Sequence, residues 1–265
     1  MLLSLDSGTS ALENIQQQLN VIANNIANVN TVGFKSADVN FADTLSETLG
    51  SNAAGSMQIG TGMTTAAITN NFSTPGAVAE TGVNTDLAIQ GNGFFVVKDP
   101  TSGDSYVTQD GTFSIDTSGY LVTSAGLRVQ GASGDIQFPT SSSSPSMTGY
   151  KFNSDGTITV SMSDGTTTTP TGGGIVLQNF SNPDQLVKDG GNLYSMNTAA
   201  GGLATPVKPG SSGLGTIAAG YLEMSNVDLA GELTSLITAQ RAYEANSKVV
   251  TTSDDVLQTL INIKR

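Results

Sequence analysis

Apolar or small side chains fall at Leu5, Gly8, Leu12, Ile15, Leu19, Ile22, Ile26 and Val29, in alternating steps of three and four. That spacing is the narrow seam of a coiled-coil helix and predicts a helix from about Ser4 to about Asn28. Such a seam needs a partner helix. The same rhythm returns at the other end of the chain, where Leu229, Leu236, Tyr243, Val250 and Leu257 recur every seven, with Leu233 and Ile261 on the intervening row. A second helix is expected from about Val227 to Ile263, lying beside the first.

The details of both helices follow from their flanks. Asp6 and Ser7 suit a helix start, and Gly33 can take the left-handed turn that commonly ends one. Ser225-Asn226-Val227-Asp228 resembles a capping box, and Lys264 and Arg265 complement the negative end of the second dipole. Away from its seam the first helix carries Gln16, Gln17, Gln18, Asn20, Asn24, Asn25 and Asn28, with only Asp6 and Glu13 charged before Lys35. This is either an ordinary amphipathic helix with a weakly polar outer face or a face that itself meets protein. In an assembly of identical chains every charge confronts its own copies, whereas amides donate and accept without repulsion. Gln240, Ser247 and Asp254 interrupt the intervening row of the second helix, either to fix register or because they face solvent.

Between the helices the periods change. Residues 36–75 show neither helical nor strand alternation, and the Gly-, Ser- and Asn-rich stretch 46–62 reads as an extended or loosely ordered connector. From Gly76 to about Gly220, short β-branched and aromatic runs begin at Asp86, Phe94, Ser105, Thr112, Tyr120, Leu127, Thr157 and Ile175. Gly91-Asn92-Gly93, Asp110-Gly111, Ser118-Gly119, Asp155-Gly156 and Asp164-Gly165 separate them as tight-turn signals. The low-complexity segments 141–146 and 166–174 read as surface loops. The expected class is α+β, with paired terminal coiled-coil helices and an all-β middle. Its parts are a helix over 1–35, a connector over 36–75, a β-rich domain over 76–220 and a helix over 221–265.

Composition narrows the chemistry. A formal net charge of -12 and a pI near 4.1 over 265 residues set aside nucleic acid and anionic membranes as partners. With no His, Cys or Trp, imidazole and thiolate chemistry and most transition-metal sites are removed. No apolar run approaches the roughly 20 residues that span a bilayer, so membrane insertion is not expected. No cleaved secretory signal is visible either. Asp104, Asp110, Asp116, Asp155 and Asp164 could in principle pair for glycoside hydrolysis. Asp110, Asp155 and Asp164 precede Gly at expected turns, where Asp is favoured for its own backbone hydrogen bonds. No calcium-loop pattern is present, and Gly91-Asn92-Gly93 is too short for a phosphate cradle and reads as a hairpin turn.

Three blocks together resemble the axial proteins of the bacterial flagellum, which form rod and hook. One is Val21-Ile22-Ala23-Asn24-Asn25-Ile26-Ala27-Asn28 with Gly33-Phe34-Lys35. Another is Ile89-Gln90-Gly91-Asn92-Gly93-Phe94-Phe95, followed by Asp110-Gly111-Thr112-Phe113 and Gly119-Tyr120-Leu121-Val122. The last is Gly220-Tyr221-Leu222-Glu223-Met224-Ser225-Asn226-Val227-Asp228-Leu229, continued by Ala239-Gln240-Arg241-Ala242-Tyr243 and Asn246-Ser247-Lys248. Mainly residues 132–175 are left unmatched.

The resemblance implies a structural protein without enzymatic activity or cofactor. Its terminal helices would pack into the inner layers of a helical tube, with a β-rich outer domain. It implies a homopolymer that meets neighbouring rod and hook–filament junction proteins, a hook cap and the flagellar type III export apparatus. It would be exported without cleavage to the hook and basal body outside the cell.

The short connector, together with Phe72 and Asn179-Phe180-Ser181-Asn182, favours a compact hook subunit, with the distal rod subunit as the alternative. The expected polymer interface is Leu12, Ile15, Leu19, Ile22, Asn25, Ile26, Asn28, Leu229, Leu233, Leu236, Gln240, Tyr243, Val250, Leu257 and Ile261. A β-rich adhesin or carbohydrate-binding module, and a soluble coiled-coil dimer with a β insertion, are the other classes the residues permit.

Overall fold

A computed structural model describes residues 2–52, 55–139, 146–202 and 205–263, with a helix at each end and strands between them. The α+β class expected from the sequence is present. The chain divides into two units: residues 1–29, 36–71 and 227–265 form one, and residues 30–35 and 72–226 the other.

In the first unit, α1 (Leu2–Ala27) starts earlier than expected, so Asp6 and Ser7 lie within it rather than at its start. Its last turn closes through Asn28 N–H to Asn24 O and Val29 N–H to Ile26 O. Gly33, expected to end this helix, lies well beyond it. α2 (Leu229–Ile263) opens at Asp228, whose carboxylate accepts the Ala230 N–H at 3.1 Å while its carbonyl accepts from Glu232 N–H. Asp228 is therefore the cap, in place of a box opening at Ser225. Lys264 and Arg265 lie outside the described residues. The helices run antiparallel: Ser4 Oγ meets Ser253 Oγ at 3.5 Å near one end, and Asn25 Nδ2 donates to Glu232 Oε1 at 2.8 Å near the other.

The stretch expected as a connector is paired backbone. Strands β1 (Ala37–Asp43), β2 (Ser46–Asn52), β3 (Gly55–Gly60) and β4 (Met63–Asn70) form a long antiparallel ribbon, β1 on β4 and β2 on β3. A two-stranded ribbon need not bury a continuous face, so its sequence carries no hydrophobic period to read. Such a ribbon is marginal alone. Side-chain amides of α1 hold it. Asn14 Nδ2 donates to Met63 O at 2.9 Å, and Thr65 Oγ1 lies 2.8 Å from Asn14 Oδ1 and 2.7 Å from Gln17 Oε1. Asn25 pairs with Ala37 as a strand residue would, donating to its carbonyl at 2.9 Å and accepting its N–H at 3.0 Å.

The second unit is the β body. Its main antiparallel sheet runs in the order Val187–Gly190, Leu193–Ser195, Ser105–Thr108, Phe94–Lys98, Arg128–Gly131, Leu121–Thr123, Phe113–Ile115. Every run singled out in the sequence contains or overlaps a strand. The central strand is buried on both faces, which is why Phe94-Phe95-Val96-Val97 reads as a continuous apolar run. Phe95 and Val97 join Leu87, Leu121, Val129, Ile136 and Leu177 in one core, while Phe94 and Val96 join Val107, Phe180, Leu186 and Tyr194 in another. Phe72 stacks edge-on against Phe94 and Tyr194, with ring centroids 5.4 and 5.3 Å apart.

Three local expectations change. Residues 166–174 are more than a loop. Thr167–Thr168 pair with Ile158–Met162, and a side chain at Gly172 would strike the Asp135 carbonyl, so the glycines permit close backbone packing. Gly91-Asn92-Gly93 is not a hairpin: it links Leu87–Gln90, which pair with Thr216–Ala219, to the central strand of the main sheet. Tyr221–Glu223, placed with the second helix from sequence, is a strand paired with Val78–Glu80. Of the segment 141–146, only Ser146 is among the described residues.

Candidate assembly surface

The helices of the first unit meet along a seam of small and branched residues. Ile15, Ile22 and Ala239 are buried there, flanked by Ala11, Leu19, Ile26 and Leu236. Gly8 is buried too, and a Cβ there would sit 3.0 Å from a Val250 methyl. On α1 the observed seam keeps the expected Gly8, Ile15, Leu19, Ile22 and Ile26, but Ser4 and Ala11 make contacts where Leu5 and Leu12 were expected. On α2 the row Leu236, Tyr243, Val250, Leu257 flanks the contact, but the intervening row is Glu232, Ala239, Asn246, Ser253. That is one residue before the expected Leu233, Gln240, Ser247, Asp254, Ile261. Small residues in the seam, Ser4, Gly8 and Ala11 on α1 with Ala239 and Ser253 on α2, let the helices approach closely, and interaxial distance follows the side chains at the contact.

This register sorts the residues expected at an interface between copies. Ile15, Ile22 and Asn25 are buried within one chain, and Leu12, Leu19, Ile26, Asn28, Leu236, Val250 and Leu257 are half-buried. Leu229, Leu233, Gln240, Tyr243 and Ile261 are exposed, Ile261 at 66%. Ile237, Val249, Val256, Leu260 and Ile263 are exposed as well, Ile263 at 75%. Sequence reading passed over these five. With 3.6 residues per turn, Leu229, Leu233 and Ile237 lie to one side of the seam, and Val249, Val256, Leu260 and Ile263 to the other. The spacing of that second stripe was legible, but it yields to the stronger heptad beside it. α2 therefore shows apolar surface on both flanks of the contact it makes with α1. Scattered exposed apolar residues are ordinary, whereas aligned ones mark an interaction surface.

Electrostatics at this seam centre on Glu232. Partial burial pushes its carboxyl above the ordinary glutamate value, the Asp38 and Asp228 charges add to the shift, and the Asn25 hydrogen bond opposes it. Among the described residues no helix is long and apolar enough to cross a membrane, and no group of His, Cys, Asp or Glu is arranged to hold a metal ion.

Three of the body's aspartates are occupied by local hydrogen bonds. Asp110, Asp155 and Asp164 each accept from the N–H and hydroxyl of the threonine two residues on. Those bonds hold Asp155 and Asp164 below the usual carboxylate range, opposite to what a general acid requires. A cavity of about 340 Å³ in the body is lined by Phe72, Phe94, Phe180 and Gln109, together with Lys35 and Glu223, which are bonded to each other.

The fold and surface together define an α+β protein with paired terminal helices, aligned exposed apolar residues on α2 and a separate β body. Residues 5–35 match the family of flagella basal body rod proteins, residues 88–160 the D1 domain of flagellar hook protein FlgE/F/G, and residues 218–263 the C-terminal region of flagellar basal body rod FlgEFG proteins. The chain is 43% identical over 274 residues to the flagellar basal-body rod protein FlgG of Bacillus subtilis, covering 100% of both chains. It is 38% identical over 268 residues to that of Caulobacter vibrioides, covering 97% of this chain and 98% of the relative. The flagellar hook protein FlgE of Treponema pallidum is 44% identical, but over 141 residues, 49% of this chain and 30% of the hook protein. The chain belongs to the flagellar rod and hook family of structural proteins.

Within that family the findings favour rod over hook, reversing the preference drawn from sequence. The features that suggested hook do not discriminate. Phe72 packs against the body core and Phe180 is buried in it, so their identities answer to packing within the body.

Proposed function

We propose that this chain is a subunit of the distal rod of the bacterial flagellum, the drive shaft that carries motor torque outward. Copies would stack through their helix pairs into a tube, meeting neighbouring axial proteins at its ends after export through the flagellar type III apparatus. The observation that carries the reading is the end-to-end similarity to rod proteins, against a hook match confined to part of each chain. Aligned apolar residues on both flanks of α2 support self-assembly, since their exposure is relieved by burial against further helices. The surface we assign to contacts between copies is Leu229, Leu233, Ile237, Gln240, Tyr243 and Ile261, with Val249, Val256, Leu260 and Ile263 on the second flank.

Electron microscopy of the polymer tests this reading. A straight, stiff tube is the expected result, and a curved, bendable tube would make the chain a hook subunit instead.

A further inference from the structure

Glu223 and Lys35 form an ion pair of 2.8 Å within the β body, with side chains 4% and 2% exposed. Around it three stretches of the body converge. Lys35 Nζ also reaches Thr74 O at 3.4 Å, while Glu223 Oε1 accepts the Gly76 N–H at 2.8 Å and Glu223 O accepts the Gly33 N–H at 2.8 Å. Asn226 donates its backbone N–H to Phe34 O and its side chain to Thr74 O, at 3.4 and 3.0 Å. Two glycines make the convergence possible: a Cβ at Gly76 would strike the Met224 carbonyl, and one at Gly33 would strike the backbone of Gln109 and Asp110. Gly33, with φ +66°, thus serves this approach and not the end of α1.

The position of these stretches along the chain matters. The chain passes from one unit to the other between residues 29 and 30, 35 and 36, 71 and 72, and 226 and 227. Each passage adjoins one of the three tied stretches. A buried ion pair contributes little net stability, because removing both charges from water offsets most of their attraction. It does impose direction. This pair and its neighbouring bonds are satisfied together in one register of residues 33–35, 74–76 and 223–226, whereas an apolar contact of equal area would tolerate sliding.

We infer that Lys35 and Glu223 are a positioning pair that holds residues 33–35, 74–76 and 223–226 of the body in one register, so that these stretches move as one. Load reaching the body is then shared among them instead of peeling one after another. The inference rests on the load-bearing reading proposed above.

The test is amide hydrogen exchange on the purified full-length monomer carrying Lys35→Met with Glu223→Met, alongside Lys35→Met alone. The double variant is expected to melt within about 3 °C of the parent. Its Gly33 and Gly76 amides should exchange about tenfold faster or more, while those of Val97 and Val107 are unchanged. The single variant, which strands a buried carboxylate, should melt well below both. Unchanged exchange at Gly33 and Gly76 would overturn the inference, as would equal acceleration at Val97. A double variant that fails to fold would overturn it as well, since the pair would then be a stability element. In cells, the double variant should swim normally in dilute medium and lose speed in viscous medium, and wild-type swimming under both loads would count against the inference. The exchange readout needs no polymer, so a curved tube would sink the rod reading while leaving that result standing.

Discussion

The β body and the terminal helix pair handle apolar side chains in opposite ways. In the body, Leu87, Phe95, Val97, Leu121 and Ile136 are fully enclosed, and the central strand is covered on both faces. Among the described residues of the helix pair, the buried apolar cluster is Ile15, Ile22 and Ala239, at 6, 5 and 4% exposed, and leucines and isoleucines of α2 stand exposed on either side of the seam. Burying a large apolar side chain stabilises by roughly 1.5–3 kcal/mol, so the body collects that energy within one chain and the helices leave much of theirs uncollected. The exposed apolar residues of α2 are the surplus that burial against further helices would use.

The comparison breaks most visibly at the C-terminus. Removing the last dozen residues deletes Val256, Leu257, Leu260, Ile261 and Ile263 from the helix pair and nothing from the body. Circular dichroism should show intact β structure while electron microscopy shows no tubes, and normal tubes would contradict the assignment. Phe95→Ala empties a fully buried site whose ring packs 5.1 Å from Phe113, and urea unfolding should register a loss of about 3–5 kcal/mol. Val256→Ala should change monomer stability by no more than about 0.5 kcal/mol, yet slow assembly measured by light scattering.

Asn25→Ala sits between these extremes. It removes two bonds to Ala37 and one to Glu232 from a residue 1% exposed. The monomer should lose about 1–3 kcal/mol, with exchange of the Ala37 amide accelerated first.

The smallest effect concerns pH, and the two regions should differ in sign. The Glu232 pKa is raised from 4.5, so its contribution to stability is present below that value and is lost as pH rises through the raised one. The pKa values of Asp99, Asp155 and Asp164 are lowered from 3.8, chiefly by hydrogen bonds from Thr101, Thr157 and Thr166 respectively. Their contributions are present above that value and are lost as pH falls through the lowered ones. Acidifying from about pH 6 to about pH 3 should therefore firm the Asn25 end of the seam before it loosens the body's turns. Site-resolved exchange reads both, and Glu232→Gln should abolish the first change and spare the second.

How much of this was legible in the sequence depended on whether a structural element needs a pattern. The helices announced themselves because a seam requires apolar residues at fixed steps. The body strands did so because Phe94-Phe95-Val96-Val97 and its neighbours must bury branched and aromatic side chains. The ribbon of β1 to β4 was missed because its order comes from backbone pairing and from the amides Asn14, Gln17 and Asn25. Gln17 and Asn25 belong to a face that the sequence left open between solvent and other copies, and Asn14 was not singled out. Asn14, Gln17 and Asn25 bond the chain's own ribbon, while Gln16, Asn20 and Asn24 remain exposed. The row of α2 that enters the seam was misplaced by one residue, because hydrophobicity points to Leu233 and close approach selects Ala239.

By itself the sequence determined the α+β class, the two terminal helices, the strand-forming runs and the membership of an axial protein family. All of these follow from local periodicity and short motifs. Tertiary structure alone decided which face of α2 is spent on α1, which apolar residues remain for other chains, and that Lys35, distant in sequence from Glu223, is its partner. The physical reason is that period and propensity act between residues a few positions apart. The choice among competing faces and the pairing of buried charges are settled by which backbones can come close, and that is a property of the packed chain.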